Sequence, residues 1–140
     1  MSYKTHQYLT AIPDQPEAIV MITTMRARTF AGFRFMWAGA MSQPKTVAAA
    51  PGCVQVKACL ISPRELMMVT YWQNRESLMA FFRSQAHIEW MRYVTSQPDA
   101  LNLAAEIYSP QRPGMYLHEP QGMALLYDKA TGGKSAHHAG

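Results

Sequence analysis

The stretch over residues 65–94 constrains the fold most, because its hydrophobic pattern changes from that of a strand to that of a helix. Residues 66–72 form a short run of apolar, β-branched and aromatic side chains, which is typical of a buried strand. Asn74 follows this run and is a favourable N-cap residue for a helix. The stretch therefore predicts a strand that leads directly into a helix.

The helical part of this stretch carries two apolar stripes that differ in phase. The first stripe consists of Leu78, Phe81 and Phe82, and the second consists of His87, Trp90, Met91 and Val94. Each residue turns a helix by about 100°, so an unbroken helix would place the two stripes on opposite sides. A break near Ser84, which can cap a second helix, brings the second stripe inward. We therefore expect two helices, with His87 on the inner face of the second.

The rest of the chain supplies one more helix and the remaining strands. Thr29 can cap a helix over residues 30–50, in which Phe30, Phe33, Trp37 and Met41 recur at helical spacing. Pro44 should kink this helix or start a new turn. The further core strands are predicted over 18–25, 53–61 and 101–108, and the strand over 53–61 should form an antiparallel hairpin with 66–72.

The order of these elements is strand–helix–strand–strand–helix–strand, which is the split βαβ arrangement of ferredoxin-like domains. The predicted fold class is therefore α+β, with an antiparallel sheet and helices on one face. We expect one domain over 1–128 and a flexible tail over 129–140, which is polar and rich in glycine. Beyond the core, residues 5–12 suggest an edge strand, and 115–118 with 123–127 suggest a small extra hairpin.

The composition bounds the partners and the compartment. The formal charge is +4, and no block of like charges or basic stripe interleaved with aromatic residues occurs, so no nucleic acid partner is expected. No apolar run approaches the roughly 20 residues of a membrane span, and the start of the sequence has no apolar leader. Cys53 and Cys59 would stand about 20 Å apart on one strand, too far for a disulfide. Reduced cysteines fit a cytoplasmic protein.

Eleven methionines in 140 residues are many. Methionine is flexible and polarizable, so it can line a cavity for an apolar guest, although it also fills ordinary cores. No Walker loop, dinucleotide fingerprint, zinc-ligand spacing or nucleophile–base pair is present, so hydrolase, kinase and nicotinamide-dependent functions are not indicated. A hydrophobic small molecule is the expected partner.

Residues 17–108 resemble the dimeric α+β barrel superfamily, whose best-known members are the antibiotic-biosynthesis-monooxygenase-like proteins. The resemblance rests on the element order, on Pro51-Gly52 before the second core strand, and on the run VTYWQNRESL over 69–78. The segment over 84–87, Ser-Gln-Ala-His, matches the Ser-x-x-His segment of that family. The helix over 30–50, with its Pro51-Gly52 exit, is more distantly similar to spheroidene-monooxygenase-like haem proteins.

The resemblance implies a homodimer in which two sheets close into a barrel, with a pocket between the sheet and helices of each subunit. Within the superfamily that pocket serves cofactor-free oxygenation of aromatics, haem-dependent chemistry, isomerisation or ligand binding, and the fold does not choose between these. Haem-degrading relatives carry a proximal histidine on the same helix about one turn later than His87, at roughly the place of Met91. Haem b is therefore the expected cofactor, if any, with His87 as the iron ligand.

His87 has three possible roles: a local hydrogen bond at the start of its helix, an axial ligand to haem, or an acid or base toward a substrate. In the haem alternative, Met91, Arg34 and Arg83 would bind the cofactor. Met91 shares a helical face with His87, and the guanidinium groups of the two arginines could pair with the haem propionates. Ordinary surface charge is the alternative for both arginines. The side chains expected to line the substrate pocket are Trp72, Trp90, Trp37 and Phe33.

Two further residues are candidates for catalysis. Asn74 lies where the third core strand meets the next helix and could orient an enol or quinol oxygen, or it could act only as a cap. His118 precedes Glu119, whose carboxylate could favour proton transfer, or it could be an ordinary loop residue. The leading hypothesis is an oxygenase-type or haem-dependent enzyme for a hydrophobic substrate. The alternatives are a cofactor-free monooxygenase of quinol-like aromatics and a non-catalytic ligand-binding barrel.

Overall fold

The computed structural model describes residues 6–9, 17–111, 114–130 and 136–139 of the chain. The helices and strands in these ranges are, in chain order, β1 (His6–Leu9), β2 (Ile19–Ala27), α1 (Phe30–Ala48), β3 (Cys53–Ser62), β4 (Glu65–Trp72), α2 (Arg75–Phe82), α3 (Gln85–Ser96), β5 (Leu101–Tyr108), β6 (Met115–Leu117), α4 (Met123–Ala130) and β7 (Ala136–Ala139).

The central sheet has four antiparallel strands in the order β3-β4-β2-β5. Alternate residues of β4 point to opposite faces, and one set is fully buried: Leu66, Met68, Thr70 and Trp72. This buried face packs against α1, α2 and α3, for example where Trp72 contacts Val47, Leu78 and Phe81. The prediction of a ferredoxin-like α+β fold with helices on one face is confirmed.

The helix starts follow the capping residues that the sequence indicates. The Thr29 hydroxyl accepts a hydrogen bond from the backbone amide of Gly32 at 3.0 Å, and Asn74 Oδ1 accepts one from Ser77 at 2.8 Å. The Ser84 hydroxyl accepts a bond from the amide of His87 at 3.3 Å. These bonds satisfy amides that have no partner within their own helix. The predicted break between α2 and α3 is confirmed.

The first helix packs with a different face from the one that its large apolar residues predict. Phe30 and Met41 are 76% and 74% exposed, so the predicted stripe is wrong at both ends. The buried face consists of Gly32, Met36, Gly39, Gln43 and Val47. A Cβ at Gly32 would clash with the carbonyl oxygen of Ala100, so this glycine allows a close approach that a larger residue would prevent. The helix also continues through Pro44 without a new start.

The C-terminal part differs most from its prediction. The prediction of a small extra hairpin is wrong, because β6 pairs with β1 and residues 123–127 belong to helix α4. Methionine, alanine and leucine are strong helix formers, and these fill the start of α4. Met123 packs on Ala18 beside Val20 and Tyr71, so α4 covers one end of the sheet face opposite to α1.

Strand β1 lies within the predicted edge strand over 5–12, of which 5 and 10–12 fall outside the described residues. It pairs with β7, which lies within the predicted tail over 129–140; residues 131–135 and 140 of that tail are outside the description. Cys53 and Cys59 are free thiols on β3. In the ranges that the structure describes, no helix combines the length and hydropathy needed to cross a membrane.

Candidate functional site

A cavity of about 240 Å³ lies between the buried face of the sheet and helices α1, α2 and α3. Its apolar walls include four methionines (Met21, Met25, Met68 and Met91) and the side chains of Phe35, Val47, Phe81, Phe82, Trp90, Val94, Leu103 and Ala105. An apolar cavity of about 150 Å³ can bind benzene, so this larger cavity has room for an aromatic molecule of about two fused rings.

His87 lies in the wall of this cavity and is held by a hydrogen bond and by aromatic rings. Its Nδ1 lies 3.1 Å from the carbonyl oxygen of Phe82, in the last turn of α2, where helix carbonyls lack an intrahelical partner. The imidazole also contacts the rings of Phe81, Phe82 and Trp90 at centroid distances of 5.5, 4.8 and 6.4 Å. The break at Ser84 therefore places the histidine both to cap α2 and to face the cavity.

The hydrogen bond fixes the tautomer of the His87 ring. A carbonyl oxygen can only accept, so Nδ1 carries the proton, and the neutral ring has its lone pair on Nε2. Burial lowers the pKa of His87 from its ordinary value, and the hydrogen bond to Phe82 opposes this shift. A neutral imidazole with an available Nε2 is able to accept a proton from a bound ligand.

Besides His87, the polar side chains in the cavity wall are Thr70, Thr23 and Gln43. The Thr70 hydroxyl donates to the carbonyl oxygen of Met21 at 3.3 Å and accepts from Trp72 Nε1 at 2.8 Å. Thr23 Oγ1 is buried without a hydrogen-bond partner. Gln43 is 3% exposed, and its amide occupies the space that a Cβ on Gly39 would fill.

The structure brings some of the predicted site residues together and separates others. Trp90 and Met91 line the cavity beside His87. Trp72 is fully buried in the core but does not line the cavity. Phe33 and Trp37 pack against each other at 6.2 Å on the flank of α1, where the indole of Trp37 donates to the carbonyl of Pro63. Their position follows from the face of α1 that is buried, which turns both rings away from the cavity.

The remaining candidates lie outside the cavity walls. Asn74 Oδ1 is occupied by the cap of α2. His118 is exposed in the turn after β6, with a φ of 72°. Arg34 and Arg83 are exposed on α1 and at the end of α2, and neither lines the cavity. The roles suggested for Asn74 and His118 thus stay predictions without support from their positions.

Sequence reasoning missed Thr23 and Gln43. Thr23 belongs to an apolar strand, in which threonine is a common residue, and Gln43 resembles a surface residue of a helix. A signal was nevertheless present, because Gly32, Met36, Gly39, Gln43 and Val47 recur at spacings of three and four residues and so share one face of α1.

Solved structures share this fold at low sequence identity. Protein SO0527 from Shewanella oneidensis has a TM-score of 0.58 and 12% identity, over 78% of this chain and 97% of its own. A candidate antibiotic biosynthesis monooxygenase from Deinococcus radiodurans has a TM-score of 0.55 and 11% identity, over 67% and 93%. A variant of SnoaB, a cofactor-independent oxygenase from Streptomyces nogalater, has a TM-score of 0.50 and 9% identity, over 69% and 95%. No curated protein sequence matches the chain.

The haem prediction is wrong. SnoaB, which shares the fold, is a cofactor-independent oxygenase, and similarity to spheroidene-monooxygenase-like haem proteins is not shown. The cavity is smaller than the roughly 300–1,000 Å³ of sites for drug-sized ligands, and the arginines expected to meet the propionates lie outside it. The described residues also contain no group of three or more His, Cys, Asp or Glu that could hold a metal ion. His87 and Met91 are therefore cavity residues and not haem contacts.

A family model described as monooxygenase af470-like matches residues 18–121. The matched region begins at buried Ala18 and includes the whole central sheet, the helices α1, α2 and α3, and every residue of the cavity wall. The chain therefore belongs to the monooxygenase af470-like family.

Proposed function

We propose that the protein is a cofactor-independent oxygenase that oxidises a small, electron-rich aromatic of the phenol or quinol type. The observation that carries the proposal is the His87 imidazole, which is fixed by the Phe82 carbonyl and lies in the wall of an apolar cavity. Membership in a monooxygenase-like family supports the reaction class, and the size of the cavity supports an aromatic of about two rings.

His87 acts in this proposal as the general base. Its Nε2 accepts the phenolic proton, and the Phe82 carbonyl stabilises the resulting imidazolium through Nδ1–H. The phenolate is electron-rich and passes an electron to O₂, after which the two radicals combine at a ring carbon. Loss of water from the peroxide gives a quinone. For 1-naphthol and one O₂, the products are 1,4-naphthoquinone and one water, so the hydroxyl proton and one ring hydrogen leave with the second oxygen atom.

The apolar wall has a function in this scheme. Trp90, Met91 and Val94 come from the same helix as the base and surround the substrate with groups that do not donate protons. The cavity is partly open to solvent at Leu103 and Ala105, and a bound aromatic that fills its apolar part would displace water from beside the radical and peroxide intermediates and so limit side reactions. The methionine side chains can adapt to the shape of the aromatic ring.

The test is oxygen uptake by the purified protein with a panel of phenols, naphthols and quinols that includes 1-naphthol. We expect uptake with at least one compound, and a decrease in kcat of about 10²–10⁴-fold in His87→Gln. His118→Gln serves as the matched histidine variant, because His118 lies outside the cavity, and it should keep the rate. Binding without uptake across the panel would favour the alternative of a non-catalytic ligand-binding barrel.

The sheet face opposite to the cavity supports a further proposal, a homodimer. Ile22 and its cross-strand partner Val69 project from this face together with Met67, and all three are only partly buried in the single chain. Helix α4 covers only the end near Val20. A second copy of the same face would bury these side chains. Sedimentation velocity should detect a dimer that Val69→Lys dissociates; a wild-type monomer at micromolar concentration would contradict the proposal.

A further inference from the structure

We infer that Thr23 and Gln43 form a second recognition point in the cavity, which binds an oxygen substituent of the substrate other than the one that His87 deprotonates. The inference rests on the proposed function and narrows its substrate class to aromatics with two oxygen substituents, such as dihydroxynaphthalenes. It depends on the unpaired hydroxyl of Thr23 and on the amide of Gln43, which line the same cavity.

Thr23 is the first of these groups. It lies on β2, on the same sheet face as Met21 and Met25, and lines the cavity. Its hydroxyl oxygen is buried and makes no hydrogen bond. Native proteins pair nearly all buried polar side-chain atoms, so an unpaired hydroxyl at a cavity wall indicates a partner that arrives from the cavity.

Gln43 is the second group and comes from the opposite wall, on α1. Its side chain is 97% buried, since only 3% is exposed, and it lines the same cavity. A Cβ on Gly39 would lie 2.9 Å from Gln43 Nε2 and 3.0 Å from Cδ, so this glycine leaves the space that the amide occupies. The helix is thus shaped around this amide, which lies at the wall of the cavity.

The neighbouring Thr70 shows how this sheet satisfies a threonine that has only a structural role. Its hydroxyl both donates and accepts, toward Met21 and Trp72, within the protein itself. Thr23 lies one strand away on the same face and has no such partners. Tyr93 also has a buried hydroxyl without a partner among the described residues, but it does not line the cavity. The unpaired hydroxyl and its position in the cavity wall together assign Thr23 to the ligand.

The chemistry of the two groups defines the substituent. A hydroxyl and a carboxamide each offer a donor and an acceptor, so together they suit a neutral phenol or a quinone carbonyl. No lysine, arginine, aspartate or glutamate is among the lining residues, so a carboxylate or phosphate would remain without a counter-charge. The occupant is therefore a neutral molecule that is apolar in its centre and carries oxygen at two points.

The experiment is calorimetric titration of the full chain under argon, so that binding is measured without turnover. The probes are 1-naphthol and the 1,5-, 1,6- and 1,7-dihydroxynaphthalenes. We expect at least one diol to bind roughly fivefold more tightly than 1-naphthol, as gained hydrogen bonds allow. In the double variant Thr23→Val, Gln43→Leu this preference should disappear while the Kd for 1-naphthol stays within about twofold. The control Thr95→Val removes a hydroxyl from an exposed residue of α3 that does not line the cavity, and it should preserve the ratio.

The outcomes separate this inference from the proposed function. Equal affinity for all four probes, or a preference that survives in the double variant, overturns the inference. Selective binding of a diol without oxygen uptake leaves the inference intact and contradicts only the proposed oxygenase activity. The double variant should also keep or raise Tm, because it removes unpaired polar groups. A fall in Tm would mean that internal water already satisfies both groups, which overturns the inference.

Discussion

Two parts of the protein interior differ in how they treat polar groups. In the first, which we term the closed core, the Thr70 hydroxyl reaches the cavity but is used within the protein, since it accepts from the indole of Trp72 and donates to the carbonyl oxygen of Met21. In the second, the cavity wall, the described residues leave the Thr23 hydroxyl without a partner, the Gln43 amide lines the cavity, and the hydrogen bond at Nδ1 of His87 leaves Nε2 available. The closed core stabilises the fold by itself, whereas the cavity wall keeps groups whose hydrogen bonds await a ligand.

The largest effect that this comparison predicts is in the closed core. Trp72→Ala removes a side chain with no exposed surface and should reduce the free energy of unfolding by about 3–5 kcal/mol. Thr70→Val should cost about 1–3 kcal/mol, because it leaves the indole N–H buried and unpaired. Urea denaturation followed by circular dichroism measures both. If the variants in the closed core lose no more free energy of unfolding than Gln43→Leu in the cavity wall, the distinction between the two parts is wrong.

The glycines of α1 give a smaller and sharper contrast. Gly32→Ala places a methyl group against the backbone carbonyl of Ala100 and should cost about 1–3 kcal/mol. Gly39→Ala meets only the flexible amide of Gln43, and the higher helix propensity of alanine, about 1 kcal/mol, offsets that contact. Unfolding midpoints in urea should therefore fall for the first variant and change little for the second. Equal losses of stability in the two variants would show that the side chain of Gln43 is held as rigidly as the backbone of Ala100.

The smallest expected effect is a pH dependence that arises from His87. Burial lowers the pKa of its imidazole below the ordinary 6.5, so between the two values the unfolded chain binds more protons than the folded chain. The stability that the neutral ring contributes is complete above pH 6.5 and is lost as the pH falls toward the folded pKa. Urea midpoints between pH 7.5 and 5.5 should fall less in His87→Gln than in wild type. If the urea midpoints of wild type and His87→Gln fell equally with pH, the imidazole of His87 would not be shielded from water.

Much of the central fold could be predicted because local signals and tertiary packing agree there. The caps at Thr29, Asn74 and Ser84 and the phase change between α2 and α3 are local features, and each is found where the sequence indicates. β5 matches its predicted bounds, Leu101–Tyr108. The phase change between the two apolar stripes also predicted that His87, Trp90 and Met91 face inward, and all three line the cavity.

The failures have a common physical cause. In α1, the largest apolar residues suggested the buried face, but packing distance decided it: Gly32 allows the helix to lie against the backbone of Ala100, and Gly39 leaves room for the side chain of Gln43. Gln43 is buried only because that close face carries it inward. Residues 123–127 form a helix and not a hairpin for a similar reason, because the helix allows Met123 to pack against Ala18. None of these distances can be read from periodicity alone.

Helix α3 contributes four cavity residues, yet none of its side chains is fully buried. It also begins with its own cap at Ser84, so its start does not depend on the continuation of α2. A substitution at Met91 thus alters the surroundings of a guest without removing a contact from the core clusters, against which Trp90 and Val94 also pack. Evolution can diversify the specificity of such a protein through a single short segment, at little risk to the scaffold.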